Sequence, residues 1–460
     1  MATYEAAEIG ARLDRLPASR YFWKLIALLS LGAFFELYDL GLTGAISPGL
    51  IRSGIFHAGA KGFFGLTDQA TFASVTFLAL FIGTMVFSPI ADRYGRRAIF
   101  TFSLLWYAAA TIVMAAQNTA FRIDLWRFIA SVGIGVELVT IDSYIAELVP
   151  KHIRGRAFGV NQCLQFTSLP AVALSSWLLV PIKPFGIEGW RWVALFPSVA
   201  AIFVWWIRRH VPESPRWLAQ QGRIEEAKQI VAAMEAQVSS ETGEKLPEVA
   251  YSVQEMEPPG KLAEILRPPF LRRTIMLATM NFFQAIGFYG FNNWAPALMA
   301  SQGASFVKSL QYTFMVAAIF PFSPLFFIFI SDKVERKWQV IIGALCTAVF
   351  GLLFSFQSSP ARLIICGCLL TISHGLLSYG YHTYQSELYP TRVRARAIGF
   401  VYSFSRLSTV LSSFMIAFFL EKFGTFGVFT FIAFAMLMVI LAVGIFGPRT
   451  SGLALEEIAQ

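Results

Sequence analysis

The sequence predicts an all-α membrane protein of twelve transmembrane helices, arranged as two six-helix bundles related by internal pseudo-symmetry. Three observations predict this fold class. Only 14% of the 460 residues are charged and 56% are hydrophobic, whereas about 25% of the residues of a soluble protein are charged. The chain contains twelve apolar stretches that are long enough to span a membrane. Two charged motifs recur after an interval of 240 residues.

Each apolar stretch approaches the roughly 20 residues that an α-helix needs to cross about 30 Å of hydrocarbon. Helices are favoured because lipid offers no hydrogen-bond partners to an open backbone. The first stretch follows four basic residues and lacks a small-residue cleavage pattern, so we interpret it as a spanning helix rather than a signal peptide. The stretches run approximately over 25–51, 70–91, 98–116, 124–148, 157–181, 190–207, 274–299, 309–331, 338–356, 362–388, 396–420 and 425–446.

Basic residues are distributed unevenly between the loops on the two sides. If the N-terminus is cytoplasmic, the short inner segments hold 17 Lys and Arg and the outer loops hold 8. The positive-inside rule then places both termini in the cytoplasm. It also explains the formal net charge of +9 without nucleic acid as a partner. We expect a multi-pass protein of the cell (inner or plasma) membrane, surrounded by lipid and monomeric.

Hydrophobicity divides the chain into five segments. Residues 1–24 form a cytoplasmic N-terminal segment, 25–207 the first bundle, 208–273 a cytoplasmic linker, 274–446 the second bundle and 447–460 a cytoplasmic tail. The linker begins with the pattern of short amphipathic surface helices and continues as a flexible segment. Two roles stay open for it, a connection alone or a part in gating and partner binding.

The repeated motifs relate the two halves. ELVPKHIRGRAFG at 147–159 matches ELYPTRVRARAIG at 387–399 at seven of thirteen positions. ADRYGRR at 91–97 is answered by SDKVERK at 331–337, again 240 residues later. Because both pairs keep the same interval, the spacing predicts two parallel repeats of six helices each.

These motifs also resemble a known family. ADRYGRR is similar to the signature between helices two and three of the major facilitator superfamily. RFIASVGIGVE (127–137), YIAELVPKHIRGR (144–156) and PESPRWLAQQGRIEEAK (212–228) resemble its sugar-porter and organic-ion branch. The resemblance covers essentially the whole chain. It implies a secondary transporter that works by alternating access without a cofactor.

The resemblance assigns the repeated charges to a cytoplasmic gate. Arginine forms bidentate pairs with carboxylates, and charge pairs at a rim can exchange partners as the halves close and open. The positive-inside pattern alone would explain the arginines, but neither the glutamates nor the shared spacing. The implied gate residues are Asp92, Arg96, Glu147 and Arg154 in the first half and Asp332, Glu387, Arg394 and Arg396 in the second.

Ionisable residues inside the membrane are costly and mark candidate functional sites. The first helix carries Glu36 and Asp39, three residues apart and hence on one face. The fourth helix carries Arg127, Glu137 and Asp142. We interpret these five residues as a proton-coupling site, because one of two neighbouring carboxylates in a low dielectric readily takes up a proton. A structural ion pair between helices one and four, and direct binding of a cation, stay open as alternatives.

The second half carries one intramembrane arginine, Arg406, among aromatic and amide side chains. A guanidinium binds a carboxylate and aromatic rings stack on a flat ligand, so the pattern favours an anion that bears a ring. Alternatively, Arg406 pairs with Glu36 or Asp39 across the cavity, and His374 is a hydrogen-bonded core histidine. The further predicted substrate contacts are Gln284, Tyr289, Asn293, Trp294, Tyr379 and His374.

We therefore predict a proton-coupled importer of a small organic acid. GFYGFNNWAPALM (287–299) resembles transporters of niacin-type metabolites and the synaptic-vesicle-protein branch, which favours an aromatic or heterocyclic carboxylate. One alternative is an organic-cation or sugar carrier with Glu36 and Asp39 as direct ligands, and another is a transporter-like receptor. An enzyme is not expected, because the sequence lacks G-x-S-x-G, H-E-x-x-H and P-loop motifs. The four cysteines lie in apolar stretches without metal-ligand or disulfide spacing.

Overall fold

The computed structural model describes residues 2–57, 67–199, 210–243, 245–249, 262–323 and 334–450. Within these ranges the side chains at 2–4, 6, 86–93, 136–140, 142, 143, 391, 392 and 395 lie outside the description. The predictions for Asp92, Glu137, Asp142 and Asp332 therefore concern side chains that are not described. Every regular element in the described ranges is helical.

The first half begins with a helix that the sequence analysis did not predict. This helix, α1, lies within the N-terminal segment 1–24. The helices that follow it belong to the apolar stretches. The bounds are Ala2–Asp14 for α1, Arg20–Arg52 for α2, Asp68–Tyr94 for α3, Arg96–Ala115 for α4, Ala120–Leu148 for α5, Lys151–Phe166 for α6, Ser168–Leu179 for α7 and Gly189–Leu195 for α8, followed by a 3₁₀ turn at Phe196–Val199.

The linker and the second half continue the all-helical pattern. Two helices occupy the amphipathic part of the linker and a short third one precedes the second bundle. The bounds are Pro215–Gln220 for α9, Ile224–Thr242 for α10, Leu262–Ile265 for α11, Leu271–Asn292 for α12, Ala295–Ser301 for α13, Phe306–Ala317 for α14, Arg336–Ser355 for α15, Pro360–Glu387 for α16 and Thr391–Phe446 for α17.

Proline interrupts two of the spans. Helix α6 ends at Phe166, four residues before Pro170, and α12 ends at Asn292, four residues before Pro296. Proline has no N–H to donate to the carbonyl four residues earlier, so the helix kinks or breaks there. Residue Thr167 between α6 and α7 keeps helical dihedral angles (φ −66°, ψ −16°). Hence α6 and α7 form one kinked span.

Helix α17 contains two spans. At a rise of 1.5 Å per residue its 56 residues would extend about 84 Å as one rod, roughly twice the full bilayer thickness. The break lies at Gly424, whose φ of 62° and ψ of −161° are non-helical. This position separates the predicted eleventh and twelfth stretches. Six helices of the described residues are long and apolar enough to cross a membrane, α17 being one of them.

Matching contacts relate the two halves. Tyr144 of α5 donates its hydroxyl hydrogen bond to the carbonyl of Pro212, just after the first bundle. Tyr384 of α16, 240 residues later, donates to the carbonyl of Pro448, just after the second bundle. The same buried tyrosine thus ties the end of each half to its own bundle, as parallel repeats require.

Helix α1 joins the linker helices in a small cluster on one face of the bundle. Its Ile9 packs against Trp217, Leu218 and Val231 of α9 and α10. Arg12 and Arg15 both bind Glu235, each at 2.7 Å. Asp14 accepts hydrogen bonds from the Lys151 backbone N–H at the start of α6 (2.9 Å) and from Arg216 (2.7 Å). We call the face that carries this cluster the linker face and the opposite face the distal face.

The two halves meet tightly toward the distal face. Trp177 of α7 stacks on Phe314 of α14 with ring centroids 5.7 Å apart. Gly44 of α2 lies against the break between α12 and α13, where a Cβ on Gly44 would be 2.8 Å from the Asn293 carbonyl oxygen and 2.9 Å from that of Asn292. Both atoms are backbone and cannot swing aside, so this approach requires glycine.

We expect Gly44→Ala to disfavour closure of the distal face, because the added methyl group forces the two backbones apart. Spin labels at position 53, just after α2, and at position 308 on α14 report the separation at that face. The distance between the labels should lengthen in Gly44→Ala. Gly155→Ala is the matched control, since nothing lies within 4 Å of a Cβ there. Equal distances in both variants would contradict the assignment.

We also expect acid to release α1 from the linker. Burial alone would raise the pKa of Glu235, but the hydrogen bonds and charges of Arg12 and Arg15 outweigh it and hold the pKa below its ordinary value of 4.5. The ionised carboxylate therefore favours docking above about pH 4.5, and this contribution is lost as the pH falls through the lowered value. Labels at positions 8 and 236 should give a narrow distance distribution at pH 7 that broadens as the pH falls below 4.5 and through the lowered pKa.

The control for this prediction is Glu235→Gln, which removes the charge at every pH. It should show the broad distribution already at pH 7. A narrow distribution in that variant would mean that Glu235 does not hold the helix.

Candidate functional site

A buried ion pair connects three helices of the first half. Arg127 of α5 donates to Asp39 of α2 at 2.6 Å, and both side chains are fully buried. The guanidinium also donates to the Asp39 backbone carbonyl at 2.8 Å and to the Thr76 hydroxyl of α3 at 3.0 Å. Five donor hydrogens in a rigid fork allow Arg127 to make all three contacts at once. This is the ion pair between the first and fourth spans that the sequence analysis left open as an alternative.

The pair is incompletely satisfied. Phe72 covers the guanidinium at 5.5 Å, which excludes water from that side. Asp39 Oδ1 is buried, and no group of the described residues hydrogen-bonds it. Protonation of a carboxylate oxygen that accepts no hydrogen bond breaks no contact. A buried carboxylate with such an oxygen therefore takes up a proton more readily than one whose lone pairs are all used.

The second half holds an isolated positive charge. Arg406 of α17 is 5% exposed and donates to the Tyr289 hydroxyl of α12 at 2.7 Å. Its guanidinium carbon lies 5.2 Å from the Tyr402 ring centre and 5.9 Å from that of Tyr289. Among the residues that the structure describes, none places a carboxylate within ion-pair distance of Arg406. A phenol and two ring faces stabilise the charge only partly.

Tyr289 lies between the charges of the two halves. Its ring packs against Phe77 of α3 with centroids 4.5 Å apart. Its hydroxyl interacts electrostatically with Glu36, which is buried on α2, and with Arg406. Asp39, by contrast, is engaged by Arg127. The two neighbouring acids of the first span therefore differ, since Asp39 is paired with Arg127 of α5 and Glu36 acts electrostatically on Tyr289 of the second half.

A cavity of about 710 Å³, including space open to solvent, lies between the halves, and the residues of the Gly44 contact form part of its lining. Its walls are mainly apolar, and none of the lining residues is charged. Tyr289 and Asn293 are the predicted substrate contacts that line it. Asn293 is 6% exposed, and no described group hydrogen-bonds its Nδ2. The polar lining side chains are Ser176, Tyr289, Asn292, Asn293 and Thr313.

The other predicted substrate contacts lie away from this cavity lining. Trp294 belongs to the apolar core of the second half, and Gln284 is buried on α12. His374 contacts the Leu370 carbonyl of its own helix at 3.2 Å and packs edge-on against Phe288. This is the packing of a core histidine, the alternative named for His374. Tyr379 is half-buried on α16.

In each half, an arginine at the start of the third membrane span (α4 or α15) pairs with a glutamate. Arg96 donates to Glu147 at 3.1 and 3.2 Å, and Arg336 approaches Glu387 at 3.5 Å. The two pairs are related by the 240-residue interval at both partners. The sequence analysis did not name Arg336, although the interval counted from Arg96 identifies it.

The remaining predicted gate arginines make different contacts. Arg154 donates to the Val149 carbonyl and lies 3.9 Å from Asp14 of α1. Its counterpart Arg394 donates to the Tyr389 carbonyl, which is again 240 residues from Val149. Arg396 is exposed. The arginines after each motif glutamate therefore hold the turn into the next helix, whereas Arg96 and Arg336 bind the glutamates.

Glu213 of the linker caps α4, a contact that sequence reasoning missed. Its Oε1 accepts hydrogen bonds from the backbone N–H groups of Arg96 (3.0 Å) and Arg97 (3.2 Å). A carboxylate at a helix N-terminus is stabilised by the helix dipole. Burial nevertheless raises the pKa of Glu213, and these hydrogen bonds oppose the rise only in part. The signal in the sequence is the acid in PESPR together with a helix that begins at a glycine without a capping side chain.

The family model for sugar (and other) transporters matches residues 25–460. The chain belongs to this family. This assignment confirms the prediction of a transporter rather than an enzyme. Members of the family are multi-pass proteins of the plasma membrane.

Relatives match along nearly the full chain. The putative metabolite transport protein YyaJ of Bacillus subtilis is 29% identical over 98% of this chain and 97% of its own. The niacin transporter NiaP of Acinetobacter baylyi is 25% identical over 98% of this chain and 99% of its own.

The fold is shared with the xylose transporter XylE of E. coli in a partially occluded inward-open conformation. The TM-score is 0.72 at 20% identity, over 95% of this chain and all of that one. A further XylE structure is described as that of a major facilitator superfamily proton:xylose symporter. The predicted fold class, an all-α protein of twelve spans in two bundles, is therefore confirmed.

We expect the two members of the Asp39–Arg127 pair to be strongly coupled in stability. Removing one partner leaves a buried charge uncompensated and costs about 3–5 kcal/mol. Asp39→Leu and Arg127→Met should each lower the thermal unfolding temperature, and the double variant should be less destabilised than the sum of the two. Arg122→Met, an exposed basic position on α5, should change the stability by about 0.5 kcal/mol or less. Additive single losses would contradict the coupling.

Proposed function

We propose that this transporter moves a small organic acid together with protons, and that Arg406 binds the carboxylate of the acid. The guanidinium of Arg406 carries this proposal. It is buried in the second half, and its one hydrogen bond to a described side chain goes to Tyr289, which packs against Phe77 of the first half. Burial of an incompletely neutralised cation is costly, and a bidentate carboxylate is its strongest complement. A bound anion therefore stabilises the site more than water does.

Two aromatic rings beside Arg406 favour a flat substrate. Tyr289 and Tyr402 each present a ring within 6 Å of the guanidinium carbon. A planar acid bound to Arg406 lies close enough to stack on one of them. The relation to a niacin transporter supports the same class, since niacin is a heteroaromatic carboxylic acid.

The Asp39–Arg127 pair is the proposed proton site. A proton on Asp39 removes the negative partner of Arg127 and weakens the link between α2 and α5. Glu36, which acts electrostatically on Tyr289, connects the charge state of the first half to the anion site. Glu137 and Asp142 remain further candidates on α5. Similarity to a proton:xylose symporter is in keeping with proton coupling.

The transport cycle follows from these parts. We take the linker face as cytoplasmic, as the distribution of basic residues predicts, with both termini on that side. The contacts at Gly44 and Trp177 then close the outer mouth, and the cavity is reached from the inside. Rocking of the halves around the central site opens the outer mouth and brings the Arg96–Glu147 and Arg336–Glu387 clusters together.

A sugar or other neutral metabolite is the second candidate substrate. The observation in its favour is the cavity lining, which offers Asn292, Asn293, Ser176 and Thr313 but no charge. Amides and hydroxyls at such positions match sugar hydroxyls. The two candidates differ in whether transport depends on Arg406.

We expect Arg406→Gln to reduce uptake of nicotinate and related acids by about 10- to 100-fold in proteoliposomes, because a charge-assisted hydrogen bond contributes about 1.5–3 kcal/mol. An imposed inward proton gradient should raise accumulation by the wild-type protein. Arg362→Gln, at an exposed position of α16, is the matched control and should transport normally.

Xylose is measured in parallel. Undiminished acid uptake by Arg406→Gln would refute the role of Arg406. Accumulation of xylose but of no acid by the wild-type protein would favour the second candidate.

A further inference from the structure

His382 of α16 is an exposed side chain that lies among residues of the second half. The helix is 28 residues long and apolar enough to span the membrane, yet the His382 side chain is exposed. Its ring lies 5.7 Å from that of Tyr402 on α17, and its neighbour Gln385 is bound to Asn281 of α12. Because both contacts lie inside the second bundle, the exposed edge of the imidazole opens into the interior and not toward lipid.

Two buried amides fix the tautomer of this histidine. Asn281 Nδ2 donates to Gln385 Oε1 at 3.2 Å and to the Leu277 carbonyl at 2.9 Å. Since the oxygen of Gln385 is used as an acceptor, the group that it turns toward His382 Nδ1, at 3.5 Å, is its N–H₂ donor. The Nδ1 of His382 is then the acceptor, and the proton of the neutral ring resides on Nε2.

The chain of contacts from Asn281 through Gln385 to His382 is rigid. Asn281 and Gln385 are 0% and 2% exposed, so neither amide can turn to solvent. Tyr381 lies against the imidazole with centroids 4.2 Å apart and planes inclined by 33°. His382 therefore presents a preorganised N–H donor rather than a freely rotating ring, which reduces the entropy lost when a ligand binds.

The ring of Tyr402 lies beside both Arg406 and His382. The Arg406 guanidinium carbon is 5.2 Å from the Tyr402 ring centre, and the His382 ring is 5.7 Å from it. Arg406 and His382 are also close enough to interact electrostatically. A molecule the size of one aromatic ring, placed on Tyr402, can reach both donors.

We propose that His382 is a specificity-determining residue, which donates from Nε2 to a second acceptor on the substrate while Arg406 binds its carboxylate. This inference rests on the proposed function. It narrows the substrate class to ring-sized acids with a second hydrogen-bond acceptor, such as a ring nitrogen, a carbonyl or a second carboxylate. Gln385 and Asn281 act through His382 as positioning residues.

The test compares acids that differ only in the second acceptor. Benzoate carries a carboxylate alone, nicotinate adds a ring nitrogen and isophthalate adds a second carboxylate. Binding is measured by calorimetry on the purified full-length protein in nanodiscs. We expect the wild-type protein to bind nicotinate or isophthalate about fivefold more tightly than benzoate, since one net hydrogen bond contributes about 1 kcal/mol. His382→Phe should abolish this preference and leave benzoate binding unchanged.

Three further variants show which residues produce the preference for a second acceptor. Gln385→Leu frees the imidazole and should reduce the preference without removing it. His57→Phe, an exposed histidine outside the bundle interior, should leave the preference intact. Arg406→Gln should lose all three acids. The unfolding temperature of each variant shows that it is folded, and His382→Leu, which also lacks a donor, replaces His382→Phe if the latter is not.

Each outcome decides between the two proposals. A preference that survives in His382→Phe, or that is missing from the wild-type protein while Arg406 is still required, overturns the role of His382 and leaves the proposed function standing. Failure of the wild-type protein to bind any of the three acids overturns both.

Discussion

The buried contact between Asp39 and Arg127 constrains the first half of this transporter. It fixes the rotation of α2 against α5, and through Thr76 that of α3. Two charges at this depth are tolerable only because each satisfies the other. Once α2 is fixed, Gly44 faces the break between α12 and α13, and Glu36 lies near enough to Tyr289 to act on it electrostatically. The closure of the distal face and the link to the second half both depend on that orientation.

The two halves share a scaffold but differ in chemistry. Both keep the ion pair at the start of the third helix, the carbonyl contact of the motif arginine and the tyrosine that ties the end of the bundle. The interior charges are not repeated, since Gly367 stands 240 residues after Arg127 and Phe166 stands 240 residues before Arg406. We therefore assign the repeated contacts to the movement of the halves. The differences supply a candidate proton site in one half and a candidate anion site in the other.

Tyr289 lies between the candidate proton site of the first half and the candidate anion site of the second. It hydrogen-bonds Arg406, contacts Phe77 of the first half and lines the cavity. A substrate that displaces the phenol from the guanidinium must also alter the contact with α3 and the interaction with Glu36. In the proposed cycle, binding in the second half would thereby alter contacts of the first half, which is the physical requirement for coupling two sites.

The sequence by itself determined the class of protein, the positions of the spans, the repeat and the buried positions of Asp39, Arg127 and Arg406, because membrane burial and helical periodicity are local properties of a chain. Only the tertiary structure decided which acid binds Arg127, that Glu213 caps α4 and that His382 is held by Gln385. These contacts join residues far apart in the chain, and they depend on how each helix is rotated against its neighbours, which periodicity does not fix.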